Sequence, residues 1–161
     1  MNLPLNLWGM LAMDGGSLEF KDGVVIPCEE RERCVRMLAH SAVKPCAVKD
    51  GHAWRSFALW ARCKSKESVG LLGAWPLRPT FVVKDGPVRR TALWALEEPV
   101  SAQECADANK RLAYALRAPQ VYGNPDEFLL PLGLCEEFNH SLYSAGEVVL
   151  GLSEPPARSF A

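Results

Sequence analysis

The chain has 161 residues, of which 48% are hydrophobic and 23% are charged, a composition typical of one soluble globular domain. This composition excludes the disordered, collagenous and coiled-coil classes. No run approaches the ~20 apolar residues that cross a bilayer, and the apolar segment 3–13 lacks a basic leader, so we expect neither secretion nor a membrane segment. We therefore expect a cytoplasmic protein with a single α+β domain over residues 1–154 and a frayed tail over residues 155–161.

The six cysteines do not form a recognisable framework. They lie at positions 28, 34, 46, 63, 105 and 135, and no two of them have the Cys-x-x-Cys spacing. We expect them to be reduced and mostly buried, because nothing points to an oxidising compartment. The alternative is a zinc site that combines Cys28, Cys34 and His40, although structural zinc normally takes ligands from tight turns. We expect no metal and no cofactor.

Charge is distributed unevenly along the chain. Residues 43–90 carry ten basic and three acidic side chains, whereas residues 97–161 carry four basic and ten acidic ones. Such a change of sign indicates a basic face for an anionic partner and a separate acidic face. The alternative is that these charges intermix on the folded surface.

Turn chemistry marks three hairpins. Lys-Asp-Gly occurs at residues 21–23, 49–51 and 84–86, and Asp-Gly between extended runs favours a hairpin turn. The paired strands are predicted at 17–20 with 24–26, at 45–48 with 54–62, and at 80–83 with 90–96. The second and third hairpins also share a pattern, since each contains VKDG followed by ALWA.

Three helices and two further strands complete the predicted elements. The helices are predicted at 29–39, 65–75 and 101–118, and the third has a capping box formed by Ser101 and Glu104. The strands are predicted at 128–132 and 148–152. These elements together predict an α+β fold with a largely antiparallel or mixed sheet of hairpins and helices packed on it.

The basic strand 54–62 has the residue types of a nucleic-acid surface. Strand alternation assigns one face to Trp54, Ser56, Ala58, Trp60 and Arg62. Bases of single-stranded nucleic acid stack on aromatic rings while cations follow the phosphates. The alternative is that both tryptophans face the core.

No common catalytic motif is present. The sequence lacks GxxxxGK[ST], a GxGxxG loop between a strand and a helix, GxSxG and HExxH. The paired acids at 29–30, 97–98 and 136–137 are better explained as solvated ends of elements than as catalytic dyads. No motif in the sequence therefore predicts a particular enzymatic activity.

The run from residue 79 to residue 133 carries a family resemblance. It reads PTFVVKDG, RRTALWALEEPV, SAQECADANKRLAYALRA and FLLPLG, with Asn139 beyond. This order resembles the archaeo-eukaryotic primase superfamily, in particular the primase-polymerase domains of plasmid, phage and mobile-element replication proteins. The resemblance covers about a third of the chain and rests on the order and spacing of these segments. It implies a primase-like, RRM-like core.

The sequence departs from this family at its catalytic positions. The resemblance puts the family's histidine at Thr91, its arginine at Leu129 or Leu130, and its pair of metal-binding acids at Ala61 and Cys63. Alanine and cysteine cannot supply the hard carboxylate oxygens that Mg²⁺ requires. The resemblance therefore implies the fold without polymerase chemistry.

Three functions remain open from the sequence. The first is a non-catalytic primase-polymerase-like domain that binds single-stranded DNA or RNA or serves as a replication accessory protein. The second is a phage or mobile-element adaptor or inhibitor that binds a replication or host protein. The third is a divergent metal-dependent nucleotidyltransferase that uses Asp14, Glu19 or Asp22. The predicted nucleic-acid-binding residues are Trp54, Arg55, Trp60, Arg62, Lys64, Lys84, Arg89 and Arg90.

Overall fold

A computed structural model describes residues 2–156, whose backbone forms one seven-stranded sheet with helices on both faces. The strands are β1 (Ser17–Glu19), β2 (Val25–Pro27), β3 (Ala47–Lys49), β4 (His52–Cys63), β5 (Phe81–Gly86), β6 (Arg89–Ser101) and β7 (Leu134–Phe138). Their order across the sheet is β2-β1-β3-β4-β6-β5-β7, and every neighbouring pair is antiparallel. The predicted α+β class with an antiparallel sheet is confirmed.

The helices are α1 (Leu3–Leu11), α2 (Arg31–Leu38), α3 (Lys66–Gly73), α4 (Ala102–Ala115) and α5 (Ala145–Val148). Three of them match the predicted helices to within a few residues at each end. At the start of α4, Ser101 Oγ accepts from the Glu104 backbone N–H at 3.1 Å and Glu104 Oε1 accepts from the Ser101 N–H at 3.2 Å. The predicted capping box is therefore present.

Helix α1 occupies the apolar segment 3–13, for which the sequence patterns predict no element. Pro4 lies in the first turn of the helix, where a missing N–H removes no intrahelical hydrogen bond. The Asn2 side chain caps the helix by accepting from the Leu5 N–H at 3.1 Å. Leu7 and Leu11 are buried in the core.

Three predicted elements differ in the structure. The segment 128–132 forms only an isolated bridge between Leu130 and Val43, and the strand begins at Leu134 instead. The segment 148–152 is the end of α5 and a turn, because Ser144 and Glu147 form a second capping box there. Strand β5 continues through Gly86, so the third hairpin turns at residues 87–88.

The two ALWA tetrapeptides pair with each other at the centre of the sheet. Ala58 lies opposite Ala95, Leu59 opposite Trp94, Trp60 opposite Leu93 and Ala61 opposite Ala92, and all eight side chains are buried. Residues that lie opposite each other in an antiparallel pair share a face. One face therefore carries Trp60 and the other carries Trp94, and we call them the Trp60 face and the Trp94 face.

Different segments cover the two faces. Phe81 lies opposite Leu93 on the Trp60 face and lines a groove together with Leu5 and Met10 of α1. On the Trp94 face, the Trp94 indole donates to the carbonyl oxygen of Leu77, just after α3, at 3.0 Å. The core thus has two layers of side chains, and the functional residues considered below lie at the margin of the Trp60 layer.

Candidate nucleic-acid interface

A cleft of about 370 Å³ opens at the end of β4 on the Trp60 face. We call it the Tyr122 cleft. Its lining residues are Arg62, Lys64, Val121, Tyr122, Glu127, Phe128, Leu129 and Pro131. They come from two parts of the chain, because the end of β4 supplies Arg62, Lys64 follows it directly, and the segment 121–131 supplies the rest.

Asn109 of α4 fixes the segment 120–128 beside β4. Strand β3 pairs with β4 only as far as Arg55, so within residues 2–156 the outer edge of β4 beyond that point has no strand partner. Asn109 Oδ1 accepts from the Trp60 backbone N–H at 2.8 Å, and Asn109 Nδ2 donates to the Gly123 carbonyl oxygen at 3.0 Å. A Cβ at Gly123 would lie 2.9 Å from Asn109 Cβ, so this close approach requires glycine.

Arg62 lines the inner side of the cleft and forms an ion pair that has little exposure to solvent. Arg62 Nη2 lies 2.8 Å from Asp85 Oδ2, and Arg62 Nη1 donates to Asp85 Oδ1 and to Thr91 Oγ1, each at 3.1 Å. Burial alone would raise the pKa of Asp85, but the hydrogen bonds and charge of Arg62 outweigh it and lower that pKa below its usual value. The charge of Arg62 is thus largely neutralised inside the protein.

Tyr122 and Lys64 form the outer wall of the cleft. Lys64 Nζ donates to Tyr122 Oη at 3.0 Å, and the centre of the Tyr122 ring lies 5.2 Å from Lys64 Nζ and 5.8 Å from Arg62 Cζ. The hydrogen bond from Lys64 lowers the pKa of the Tyr122 hydroxyl. Lys64 is exposed and Tyr122 is half-exposed, so both are accessible to a ligand.

The structure excludes Trp60 as a stacking surface. Its side chain is fully buried, it stacks on Phe128 with ring centres 5.8 Å apart, and its indole donates to the Tyr122 carbonyl oxygen at 2.8 Å. The prediction that Trp60 is an exposed aromatic platform is therefore wrong, and its alternative, a core tryptophan, is correct. Tyr122 is the aromatic residue that lies beside Arg62 and Lys64. The alternation of side chains along a strand does not predict this contact, because Tyr122 lies outside the strands.

Trp54 and Arg55 form a second basic-aromatic cluster at the beginning of β4. The Trp54 ring is half-exposed, with Lys49 Nζ at 4.6 Å and Arg55 Cζ at 5.1 Å from its centre. Cations at these distances interact favourably with an indole face. This cluster combines residue types that suit a strand of nucleic acid.

The remaining predicted cations lie at the β5–β6 hairpin. Arg90 Nε lies 3.0 Å from Glu136 Oε1, and Arg89 Nε lies 3.9 Å from Asp85 Oδ2. Lys84 lies opposite Arg90 and makes no ion pair within residues 2–156. The predicted cations therefore occupy several surfaces, and only Arg62 and Lys64 of the set line the Tyr122 cleft.

The strand register puts the positions that the family resemblance implies for the acids and for the histidine on opposite faces of the sheet. Thr91 lies opposite Arg62, whereas Ala61 and Cys63 lie opposite Ala92 and Arg90. Ala61 and Cys63 thus face away from Thr91, and acids there could not share a metal with a histidine at position 91. Arg62, which lines the Tyr122 cleft together with Lys64, lies on the side of Thr91, so the implied positions of the acids and of the histidine are incompatible with each other in this register. Leu129 lines the cleft, whereas Leu130 is buried beneath α1.

The structure does not bring together the residues of the alternative catalytic site or of the alternative zinc site. Asp14 and Asp22 are exposed in turns, and Glu19 forms an ion pair with Lys44 at 2.9 Å. Cys28 and Cys34 are buried free thiols. Across residues 2–156, no group of three or more His, Cys, Asp or Glu side chains is arranged to hold a metal ion, and no helix is long and apolar enough to span a membrane.

Comparison with known proteins identifies the fold. No protein-family model and no curated protein sequence matches the chain. Among solved structures, the chain is similar to the AEP domain of the primase-polymerase of cyanophage S-2L, with a TM-score of 0.65 and 16% sequence identity. The match covers 94% of this chain and 95% of the phage domain. The predicted primase-like fold is therefore confirmed, and it extends well beyond the third of the chain that carries the sequence resemblance.

Proposed function

We propose that this protein is a replication-associated, primase-like domain of a phage or mobile element that binds single-stranded nucleic acid at the Tyr122 cleft and does not transfer nucleotides. The similarity to a phage primase-polymerase domain supports the replication context. The observation that carries the proposal is the ion pair between Asp85 and Arg62, a residue that lines this cleft.

The ion pair opposes metal-dependent chemistry. Nucleotidyl transfer with Mg²⁺ needs carboxylate oxygens that are free to bind the ion. Both oxygens of Asp85 accept hydrogen bonds from Arg62, so this carboxylate is not free to bind a metal ion. Lys64, which is exposed and lines the cleft, provides a positive charge that attracts a phosphate group.

The rest of the cleft suits a flexible strand. Lys64 supplies an accessible cation for a phosphate, and the half-exposed ring of Tyr122 supplies a surface on which an unpaired base can stack. Each stacked base contributes roughly 1–3 kcal/mol. Trp54, Lys49 and Arg55 provide a second platform of the same kind, where a longer strand can make further contacts.

Fluorescence anisotropy with a labelled single strand of about 20 nucleotides tests this proposal over ~50–200 mM salt. We expect the logarithm of affinity to fall linearly with the logarithm of salt concentration. Lys64→Ala should weaken binding and reduce the slope by about 0.7, the value for one phosphate contact on a single strand. Lys66→Ala, which removes an exposed lysine of α3 outside the cleft, should leave both quantities unchanged.

The Tyr122→Leu variant separates the contribution of base stacking to binding from the contribution of charge. It should lower affinity without changing the salt slope, because stacking releases no counterions. If the wild-type protein does not bind single strands at low salt, the proposal fails.

That failure would favour the adaptor function. A groove of about 440 Å³ beside α1, lined by Leu5, Met10, Phe138 and Leu142 among others and by no Asp, Glu, Lys or Arg, could receive apolar side chains of a protein partner. Gly9→Phe would narrow this groove, since a Cβ at Gly9 meets no atom within 4 Å. Under this alternative, Gly9→Phe weakens partner binding and Lys64→Ala does not.

A further inference from the structure

Glu127 is an acidic residue in a cleft that otherwise attracts phosphate. It lines the Tyr122 cleft together with Lys64 and Tyr122, and its side chain is exposed. Its backbone N–H donates to the Asn124 carbonyl oxygen at 3.1 Å, which fixes the residue in a turn. Within residues 2–156 its carboxylate makes no ion pair and accepts no hydrogen bond. The Glu127 carboxylate is therefore accessible to a ligand in the cleft.

The three accessible groups of the cleft have complementary chemistry. Lys64 is a cation, Tyr122 offers an aromatic ring, and Glu127 offers an acceptor that cannot donate. A nucleotide unit presents a phosphate, a flat base and a hydrogen-bonding base edge. The cleft volume of about 370 Å³ lies within the usual range for sites that bind small ligands.

We propose that Glu127 makes the cleft selective for bases that carry an amino group on the pairing edge, namely guanine, cytosine and adenine, against thymine and uracil. This inference rests on the proposed binding of single strands. With the base stacked on Tyr122 and its phosphate near Lys64, the Glu127 carboxylate accepts hydrogen bonds from the base edge.

The selectivity follows from the donor pattern of each base. Guanine presents two adjacent N–H donors, and cytosine and adenine each present an amino group, as in the contacts by which Glu and Asp read cytosine. The pairing edges of thymine and uracil present a single N–H between two carbonyl oxygens. Those oxygens repel a carboxylate, so these two bases gain least from Glu127.

Binding of oligo(dC) and oligo(dU) of equal length provides the test, at mildly alkaline pH so that cytosine remains neutral. These pyrimidines differ at the pairing edge and not in ring size. We expect the wild-type protein to bind oligo(dC) at least about fivefold more tightly, the lower end of the discrimination that a good base contact provides. Glu127→Gln should reduce this ratio to nearly one, because an amide both donates and accepts.

Glu98→Gln is the matched control, since it neutralises an exposed acid outside the cleft and should retain the ratio. The ratio is the decisive quantity, because removal of any negative charge strengthens binding to all strands. Wild-type protein that binds both oligomers equally, or a Glu127→Gln variant that retains the preference, would overturn the selectivity while leaving the proposed function intact. Absence of binding to either oligomer would overturn both.

Discussion

Arg62 and Asp85 are joined across an intervening strand. Arg62 belongs to β4 and Asp85 to β5, and β6 lies between them with Thr91 beneath the guanidinium. The register of β5 and β6 shifts between Lys84 and Gly86, at the position of Asp85. Such a bulge can redirect a side chain. Here it lies at Asp85, whose two carboxylate oxygens accept hydrogen bonds from the two terminal nitrogens of Arg62.

We expect Arg62→Met to lower the free energy of unfolding by roughly 3 kcal/mol, because it leaves the little-exposed Asp85 carboxylate with only the longer contact to Arg89. Urea denaturation measures this loss. Arg78→Met is the control, because it breaks an exposed ion pair with Glu137 and should reduce the free energy of unfolding much less than Arg62→Met does. The double variant Arg62→Met with Asp85→Leu should cost less than the sum of the two single changes. Equal costs for Arg62→Met and Arg78→Met would contradict this account.

Stability should fall in acid as Asp85 becomes protonated. The pKa of Asp85 in the folded protein lies below its unfolded value of about 3.9, so its stabilising contribution is complete above about pH 5 and is lost as the pH falls through the folded pKa. The melting temperatures of the wild-type protein and Asp85→Asn should therefore differ at neutral pH, and this difference should shrink as the pH falls through the folded pKa of Asp85. A difference that persists at low pH would show that the carboxylate charge does not stabilise the fold.

Lys64→Met should raise the pKa of Tyr122. The Lys64 hydrogen bond to the phenol oxygen is the main cause of the lowered pKa, and methionine keeps a side chain of similar length without the charge. The ultraviolet absorbance of tyrosinate, followed with increasing pH, reports the change against a Tyr122→Phe reference. An unchanged titration curve in Lys64→Met would contradict the contact.

The two tryptophans of β4 should respond oppositely to substitution. Trp60→Ala should destabilise the fold by roughly 4 kcal/mol, because it leaves a large cavity beside Phe128. Trp54→Ala should weaken binding to single strands with a much smaller effect on stability, since its ring is half-exposed between Lys49 and Arg55. Trp60→Phe provides a milder core variant if Trp60→Ala does not fold. Normal strand binding by a folded Trp54→Ala variant would remove Trp54 from the interface.

Purified protein should not synthesise primers with Mg²⁺ or Mn²⁺. The positions that share a side with Thr91 carry Arg62 and Lys64, which cannot bind a metal. A template-directed primer assay, with an active primase-polymerase domain as positive control, measures this activity. Product that disappears on Asp14→Asn or Glu19→Gln would overturn the expectation and establish a divergent catalytic site.

Local sequence signals predicted the elements whose structure depends on near neighbours. The Ser101–Glu104 capping box located the start of α4, and Asp-Gly located two hairpin turns, where Asp22, Gly23, Asp50 and Gly51 have positive φ. The same rules failed near Glu147, where a second capping box precedes a short apolar run, 148–152, that resembles a strand. Each of these outcomes depends on hydrogen bonds between residues a few positions apart.

The sequence by itself therefore determined the fold class, the three hairpin pairs β1–β2, β3–β4 and β5–β6, and the excess of basic residues in the middle of the chain. Tertiary structure alone decided which of those residues meet at a site. Tyr122 and Lys64 are 58 positions apart, and Trp60 is buried because Phe128 and the segment around Tyr122 cover that face of β4. Alternation along a strand tells which side chains share a face. It does not tell which face another part of the chain will cover, because that depends on packing between segments distant in sequence.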